Sequence, residues 1–114
     1  MILFKERYKT KILAGEKWQS RRLWDRPRVR PGSWHLLYTR PPVSGARPFA
    51  LARVTGLRRQ RLGDMTEEEA QAEGCESLGA FLKEFQQIYD GKIVAEPREA
   101  EVWVVEFRLA GVLP

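Results

Sequence analysis

In the second half of the chain, the first regular repeat of apolar residues has helical spacing. The clearest helix is predicted over residues 77–89, because its apolar side chains share one face. A shorter acidic helix is predicted over residues 67–73, where Thr66 and Glu69 have the spacing of a capping box and Gly74 ends the helix. The face of the longer helix comprises Leu78, Phe81, Leu82, Phe85, Ile88 and Tyr89.

One more helix is predicted near the start of the chain, over residues 6–14. It turns Tyr8, Ile12 and Leu13 inward, and Gly15 ends it as a C-terminal glycine.

Four other segments alternate at the period of two that strands require. They are residues 17–24, 33–39, 49–57 and 102–109. Pro-rich loops follow the first two, and the basic run at residues 58–64 is predicted to turn. The small residues Ala50, Ala52 and Gly56 indicate the close approach of another element. The faces predicted to be buried are Trp34, Leu36 and Tyr38 in the second strand, and Trp103, Val105, Phe107 and Leu109 in the last.

The order of these elements indicates the fold class. Two consecutive helices in one place do not build a doubly wound sheet, which needs a helix between each pair of strands. We therefore predict an α+β fold, a small and mostly antiparallel β-barrel with helices packed on it. At 114 residues the chain is expected to form one domain, over residues 1–114.

The composition narrows the protein class. A hydrophobic fraction of 43% with four Trp predicts a folded globule. No run of eighteen apolar residues is present and the N-terminus does not resemble a secretory signal, so we expect a cytoplasmic protein without a membrane partner. Cys75 is the only cysteine and His35 the only histidine. Nothing in the sequence pairs them, and no metal or cofactor is expected.

Charge is divided unevenly along the chain. Residues 1–61 hold sixteen Lys and Arg against three acids, a balance of +13, whereas residues 62–114 hold four against twelve, a balance of −8. Two interpretations remain open. The basic half forms a face for phosphates or an acidic partner, or the two halves interleave and their charges pair across the fold.

The stretch GEKWQSRR, residues 15–22, concentrates the candidate chemistry. Lys17 follows a glycine turn, and among neighbouring arginines and tryptophans it is a candidate base. Ser20 supplies a hydroxyl that is nucleophilic only beside such a base. Positions three apart point to opposite faces of an ideal strand, so the pair converges only if Lys17 still lies in the turn or a bulge intervenes.

A carboxylate is the third candidate. Glu73 lies in the last turn of the acidic helix, where it faces the negative end of the helix dipole. It is either a solvated surface residue or one that is held toward a cationic site.

Aromatic and basic residues around this stretch are candidates for nucleic-acid contacts. Trp18 or Trp24 would offer a stacking surface for a base beside arginine. The cations that would hold phosphates are Lys17, Arg21, Arg22, Arg26, Arg28 and Arg30.

The run ILAGEKWQSRRL, residues 12–23, resembles the GxKxxxxR signature of the ASCH family, a group within the PUA-like superfamily, with Gly15, Lys17 and Arg22 in the signature places. Residues 63–91 resemble the acidic helix and longer amphipathic helix of that family, and VWVVEFRL resembles its closing strand. The resemblance implies a small β-barrel whose cleft binds RNA or a nucleoside.

The same resemblance implies an alternative activity. Some ASCH proteins are amidohydrolases that remove the acetyl group of N4-acetylcytidine with a Lys, Thr and Glu trio, and a ribonuclease activity is described for another. By position the trio is similar to Lys17, Ser20 and Glu73, with Ser replacing Thr. The implied roles are Lys17 as base, Ser20 as nucleophile, Glu73 as positioning or proton-donating group and Arg22 as substrate anchor.

Two further classes of function remain beside catalysis. A binding module would hold phosphates with the arginines and break no bond, with an affinity that falls steeply with salt. A protein-interaction domain would use its acidic helix as the contact surface.

Overall fold

The computed structural model describes residues 1–91 and 96–114. The strands are β1 (Ile2–Leu3), β2 (Gln19–Arg22), β3 (Trp34–Tyr38), β4 (Ala50–Arg61) and β5 (Glu101–Val112). The α-helices are α1 (Lys9–Leu13), α2 (Glu67–Ala72) and α3 (Leu78–Ile88). Short 3-10 turns lie at Glu6–Tyr8, Pro42–Ser44, Leu62–Asp64 and Pro97–Glu99.

The five strands form one mixed sheet in the order β1-β3-β4-β5-β2. Only β1 and β3 are parallel, and the other three pairs are antiparallel. The sheet curves into a half-barrel with the helices packed on it, which confirms the predicted α+β class and mostly antiparallel sheet.

Two apolar clusters hold the helices to the sheet. The first packs Tyr8 and Ile12 of the N-terminal helical segment against Leu37 and Phe107 of the sheet. The second packs Phe81 and Phe85 of α3 against Val102 and Val104 of β5, and it also includes Leu62 and Met65. Cys75 touches both clusters, so the turn after α2 lies where they meet.

The predicted helix ends are confirmed. Gly15 and Gly74 have φ of +78° and +85°, a backbone conformation that other residues adopt only with strain. Thr66 and Glu69 form the predicted capping box at the start of α2. The first helix begins with a 3-10 turn before α1, and α3 begins after Ser77, whose hydroxyl accepts a hydrogen bond from Ala80 N.

The prediction of a basic turn at residues 58–64 is wrong over its first half. Strand β4 continues to Arg61 because Arg58 to Arg61 pair with the first four residues of β5. The turn begins only at Leu62, which is buried.

The predicted inward face of β3 is also wrong at two positions. Trp34 and Leu36 are 56% and 39% exposed, whereas Leu37 is fully buried. The segment WHLLY carries apolar residues on both faces of the strand. Its alternation therefore does not predict which face is buried. Packing against the rest of the sheet and α1 decides that Leu37 faces the core.

Strand β5 departs from strict alternation in a similar way. Val105 and Phe107 are buried as predicted, but so are Val102 and Val104. Trp103, predicted as core, is half-buried and lies outside both clusters under the guanidinium of Arg59, 4.9 Å from its ring centre. The cause is that the first half of β5 is covered by α3 on the side opposite to that ring.

The close approach predicted from small residues is found at Gly56. A register shift between Val54 and Gly56 accompanies it, and a Cβ at Gly56 would lie 2.8 Å from Glu106 Oε1. None of the described helices is long and apolar enough to cross a membrane.

Candidate functional site

The turn after α1 places Lys17 outside strand β2. The backbone N–H groups of Glu16 and Lys17 donate to Lys11 O, and Trp18 N donates to Ala72 O at the end of α2. Strand β2 begins only at Gln19. Lys17 therefore lies in the turn, as its convergence with Ser20 requires, and both residues line the same pocket. The hydrogen bonds of Lys17 Nζ nevertheless go to Gln19 and Glu73, whereas Ser20 Oγ is bound by Arg22.

Lys17 and Glu73 form a buried ion pair. Lys17 Nζ lies 3.0 Å from Glu73 Oε1 and also donates to Glu73 O at 2.6 Å and to Gln19 O at 3.1 Å. Their side chains are 4% and 5% exposed. The ring of Tyr8 lies 4.5 Å from the ammonium. Three hydrogen-bond acceptors and the aromatic face of Tyr8 thus offset the desolvation of the Lys17 charge.

Arg21 completes this network from β2. Its side chain is fully buried, and Nη1 lies 3.0 Å from Glu73 Oε2 while Nη2 lies 2.6 Å from Glu69 Oε2. Gln19 and Gln60 accept its other hydrogen bonds. Because its donors are bound to protein groups, Arg21 holds Glu73 in position within the pocket wall.

A pocket of about 310 Å³ lies beside the network. It is lined by charged, hydroxyl and aromatic groups in the mixture that small-molecule sites use. The polar and charged lining includes Lys5, Lys17, Ser20, Arg21, Arg22, Thr39, Glu73 and Glu84, and the apolar lining includes Leu3, Phe4, Tyr8, Phe81, Phe85, Ile88 and Tyr89.

Arg22 is a cation of the pocket lining that forms no ion pair with any described residue, in contrast to Lys17 and Arg21. Its Nε donates to Ser20 Oγ at 2.8 Å and its Nη2 donates to Leu3 O at 2.9 Å, with the ring of Phe4 5.2 Å away. Within residues 1–91 and 96–114, no carboxylate lies within ion-pairing distance of it. Burial lowers the pKa of Arg22, which marks a desolvated charge that an anion or a carbonyl oxygen would stabilise.

A second carboxylate of the pocket lining is neutralised by a residue that is not part of the lining. Glu84 forms an ion pair with Arg7 and accepts a hydrogen bond from Tyr8. Burial acts to raise the pKa of Glu84, but the bonds from Arg7 and Tyr8 outweigh it and hold the pKa below its ordinary value. Burial, together with its bonds to Cys75 and Glu84, raises the pKa of Tyr8, so its hydroxyl stays protonated.

The other predicted contact residues lie away from the pocket lining. Trp18 is 44% exposed and lines a separate surface groove. Trp24 packs against the first apolar cluster, with Arg28 over its ring. Arg26, Arg28 and Arg30 are exposed on the loop between β2 and β3. The structure thus brings Lys17, Ser20, Glu73, Arg21 and Arg22 together and leaves these five outside.

The sequence prediction misses the aromatic wall and one acid. It places Phe81, Phe85 and Tyr89 on a helix face without a pocket, and Ile88 of that face is 46% exposed beside the cavity. Phe4 and Glu84 carry no motif. The one usable signal is the aromatic content of α3, because rings on a helix face can line a pocket as well as a core.

The charge division along the chain is resolved in part by pairing. Every ion pair among the described residues joins a cation from residues 1–61 to an acid from residues 62–114. Most of these partners are far apart in the chain, whereas Arg58 with Glu69 and Arg61 with Asp64 are closer in sequence. The interleaving interpretation therefore accounts for the site. The loop cations Arg26, Arg28, Arg30, Arg40 and Arg47 make no such pair within the described ranges.

No metal-binding cluster of three or more His, Cys, Asp or Glu is found in the described part of the chain. His35 accepts or donates a hydrogen bond with Ser33, and Cys75 contacts Tyr8.

The α+β architecture, a half-barrel of five strands with helices packed on it, matches the folds of solved ASCH-domain structures. The ASCH domain of Lactobacillus crispatus matches 96% of this chain over 79% of its own, with 14% identity and a TM-score of 0.77. A DUF984 protein of Enterococcus faecalis matches 98% over 80% of its own length, with 14% identity and a TM-score of 0.73. The ASCH protein of Zymomonas mobilis matches 94% over 64%, with 16% identity and a TM-score of 0.57.

No protein-family model matches the chain, and no protein of curated function matches it. The structural likenesses therefore establish the fold expected from the signature resemblance, and the chemistry of the site rests on its own residues.

Proposed function

We propose that this protein is an ASCH-family nucleoside-binding protein, whose pocket takes a single RNA nucleoside or its modified form. The observation that carries the proposal is the combination of Arg22, a half-buried cation with no carboxylate within ion-pairing distance among the described residues, with aromatic rings around a cavity of about 310 Å³. This volume lies at the lower end of the range for small-molecule pockets.

The rings and the polar groups would bind different parts of the ligand. Phe4, Tyr8, Phe85 and Tyr89 offer apolar and aromatic surface against which a base packs. Arg22 uses Nε and Nη2 within the protein and retains Nη1 for a ligand oxygen. The Ser20 hydroxyl accepts from Arg22 and keeps its own proton for donation.

Calorimetric titration with cytidine and with N4-acetylcytidine tests the proposal. We expect saturable binding of at least one of them, and we expect Arg22→Gln to weaken it about tenfold or more because it removes a charged hydrogen bond. The matched control is Arg47→Gln, which removes an exposed loop arginine outside the pocket lining. No binding by the wild type, or equal losses in the two variants, would contradict the proposal.

A second function, hydrolysis of the acetyl amide of N4-acetylcytidine, is favoured by one observation. Lys17 and Glu73 are paired beside the pocket that Ser20 also lines. In this reaction Lys17 passes a proton to Glu73, 3.0 Å away, and its amine then has to turn from Gln19 and Glu73 toward Ser20 before it accepts the Ser20 proton.

In that reaction the Ser20 oxygen bonds to the acetyl carbonyl carbon and the bond to N4 breaks. The leaving amine takes the proton that Ser20 lost, and water then releases acetate from the serine ester. Arg22 holds the substrate in place, and its hydrogen bond to Ser20 Oγ stabilises negative charge on that oxygen.

Release of cytidine and acetate measures this activity directly. Lys17→Ala, Ser20→Ala and Glu73→Gln should each abolish it, whereas Ser20→Thr should retain it because the hydroxyl is kept. Glu101→Gln serves as the control carboxylate, since Glu101 lies in an exposed pair. Binding without turnover in the wild type would leave the nucleoside-binding proposal and remove the hydrolase. An assay with unmodified RNA extends the same variants to the ribonuclease alternative.

A further inference from the structure

Three exposed side chains form a row across the outer face of the sheet. Trp34 on β3 is the register partner of Arg53 on β4, and Arg53 is the register partner of Arg108 on β5. All three are exposed. Since neighbouring strands lie about 4.8 Å apart, the row spans roughly 10 Å.

The positions of the two arginines are electrostatically unfavourable, because they place like charges opposite each other on paired strands. Like charges directly opposite on paired strands destabilise a sheet, and neither Arg53 nor Arg108 has an ion pair among residues 1–91 and 96–114. Further along the same two strands Arg59 is neutralised by Glu101 at 2.8 Å. The Arg53 and Arg108 positions therefore concentrate positive charge where the sheet alone would not favour it.

The tryptophan beside them is presented to solvent. Trp34 is 56% exposed, although the guanidinium of Arg53 lies 5.5 Å from its ring centre. An exposed indole costs free energy in water, and its open surface can stack with another planar group. A cation and an exposed ring thus stand side by side.

This row lies in a shallow groove, which we call the outer groove. It is lined by Gly32, Trp34, Arg53, Thr55, Arg108 and Leu109 together with neighbouring residues. It continues into a second groove that shares Thr55, Arg108 and Leu109 and contains Trp18, which is 44% exposed. Among the described residues, the outer groove shares no lining residue with the nucleoside pocket, and the second groove shares Lys17 with it.

We propose that the outer groove binds a single-stranded polynucleotide. A phosphate lies between Arg53 and Arg108, whose paired charges it neutralises, and a base stacks on Trp34. The strand then continues toward Trp18. Stacking and phosphate binding of this kind tolerate many sequences, because every base has a π-face and every nucleotide a phosphate.

Fluorescence anisotropy with a labelled oligouridylate tests this site, and an oligodeoxythymidylate of equal length distinguishes RNA from DNA. Trp34→Ala should weaken binding about tenfold, since it removes the ring on which a base stacks. Arg108→Glu should weaken it at least as much and reduce the salt slope by about 0.7 for each phosphate that the protein no longer neutralises.

Arg108→Glu also separates binding from folding. It replaces a repulsive pair by an oppositely charged pair with Arg53, so it should raise the Tm by roughly 1 to 4 °C while it weakens binding. If Arg108 contributed only to the stability of the fold, Arg108→Glu would lower both the Tm and the affinity for the oligonucleotide. Arg47→Glu is the matched control, because it makes the same charge change on an exposed loop outside both grooves.

Equal losses in Arg108→Glu and Arg47→Glu, or unchanged affinity in Trp34→Ala, would overturn the proposal. Polyglutamate that displaces the oligonucleotide at equal charge concentration would also overturn it, since the groove would then bind acidic polymers in general. The test is independent of the nucleoside pocket, because Arg108→Glu should leave cytidine binding unchanged and Arg22→Gln should leave oligouridylate binding in the groove unchanged.

Discussion

Lys17 and Glu73 are 56 positions apart in the chain and meet as a buried ion pair, with Nζ and Oε1 3.0 Å apart. Each is held by its own glycine-terminated helix end, and Arg21 binds the free oxygen of Glu73. The pair joins the turn after α1 to the turn after α2, so the site and the fold are stabilised by the same interactions.

Glu73→Ala should destabilise the protein strongly. It leaves the Lys17 charge and one Arg21 donor buried without their carboxylate, at a cost of about 3 kcal/mol or more. Urea denaturation measures the free energy of unfolding. Glu101→Ala breaks an exposed pair with Arg59 and should cost less than about 1 kcal/mol. Similar losses in both variants would show that the buried network does not hold the fold.

Two glycines with the same backbone conformation separate strain from crowding. Gly15→Ala and Gly74→Ala both place a Cβ at positive φ, a strain of roughly 1 kcal/mol. Only at Gly74 does that Cβ meet neighbours, with Lys17 Cβ and Tyr8 Cδ1 each at 3.3 Å.

Gly74→Ala should therefore lower the free energy of unfolding further than Gly15→Ala and, by displacing Lys17, weaken nucleoside binding as well. Thermal melting and calorimetric titration of the two variants check this. If Gly15→Ala proves the more harmful variant, crowding at Gly74 is not the dominant effect.

Glu84 should make stability depend on acid pH. Its pKa in the folded protein lies below the ordinary value of 4.5, so its contribution is fully present above about pH 4.5 and is lost as the pH falls through the lowered pKa. Glu84→Gln removes that contribution and should flatten the fall in the free energy of unfolding between about pH 5 and pH 3.

Denaturation midpoints measured across that range provide the readout. Glu16→Gln, which changes an exposed carboxylate with no described ion pair, should leave the slope as it is in the wild type.

Cys75 should react slowly with thiol reagents in the folded protein. Burial raises the pKa of its thiol against the opposing effect of the hydrogen bond with Tyr8, so little reactive thiolate is present. The rate with an aromatic disulfide reagent should rise on addition of denaturant. A native rate equal to that of the unfolded chain would mean that the junction between α2 and α3 opens readily.

Local chemistry explains which elements are predictable. The capping box of Thr66 and Glu69, the glycines at 15 and 74, and the aromatic period of α3 act within a few residues of themselves, so their sequence spacing already predicts the structure. The inward faces of β3 and β5 are not predictable in this way. Trp34 and Trp103 are apolar enough for a core. The faces of β3 and β5 that become buried, however, are those opposite to these two side chains.

The fold class, the helix ends and the grouping of Lys17, Ser20 and Arg22 at the start of β2 follow from the sequence, because they depend on propensity and on near neighbours. Tertiary structure alone decided that Glu73 reaches Lys17, that Arg21 is occupied in holding that carboxylate, and that Trp34 stands in solvent beside two arginines. Such relationships depend on strand register and helix packing between segments far apart in the chain, and no local pattern specifies them.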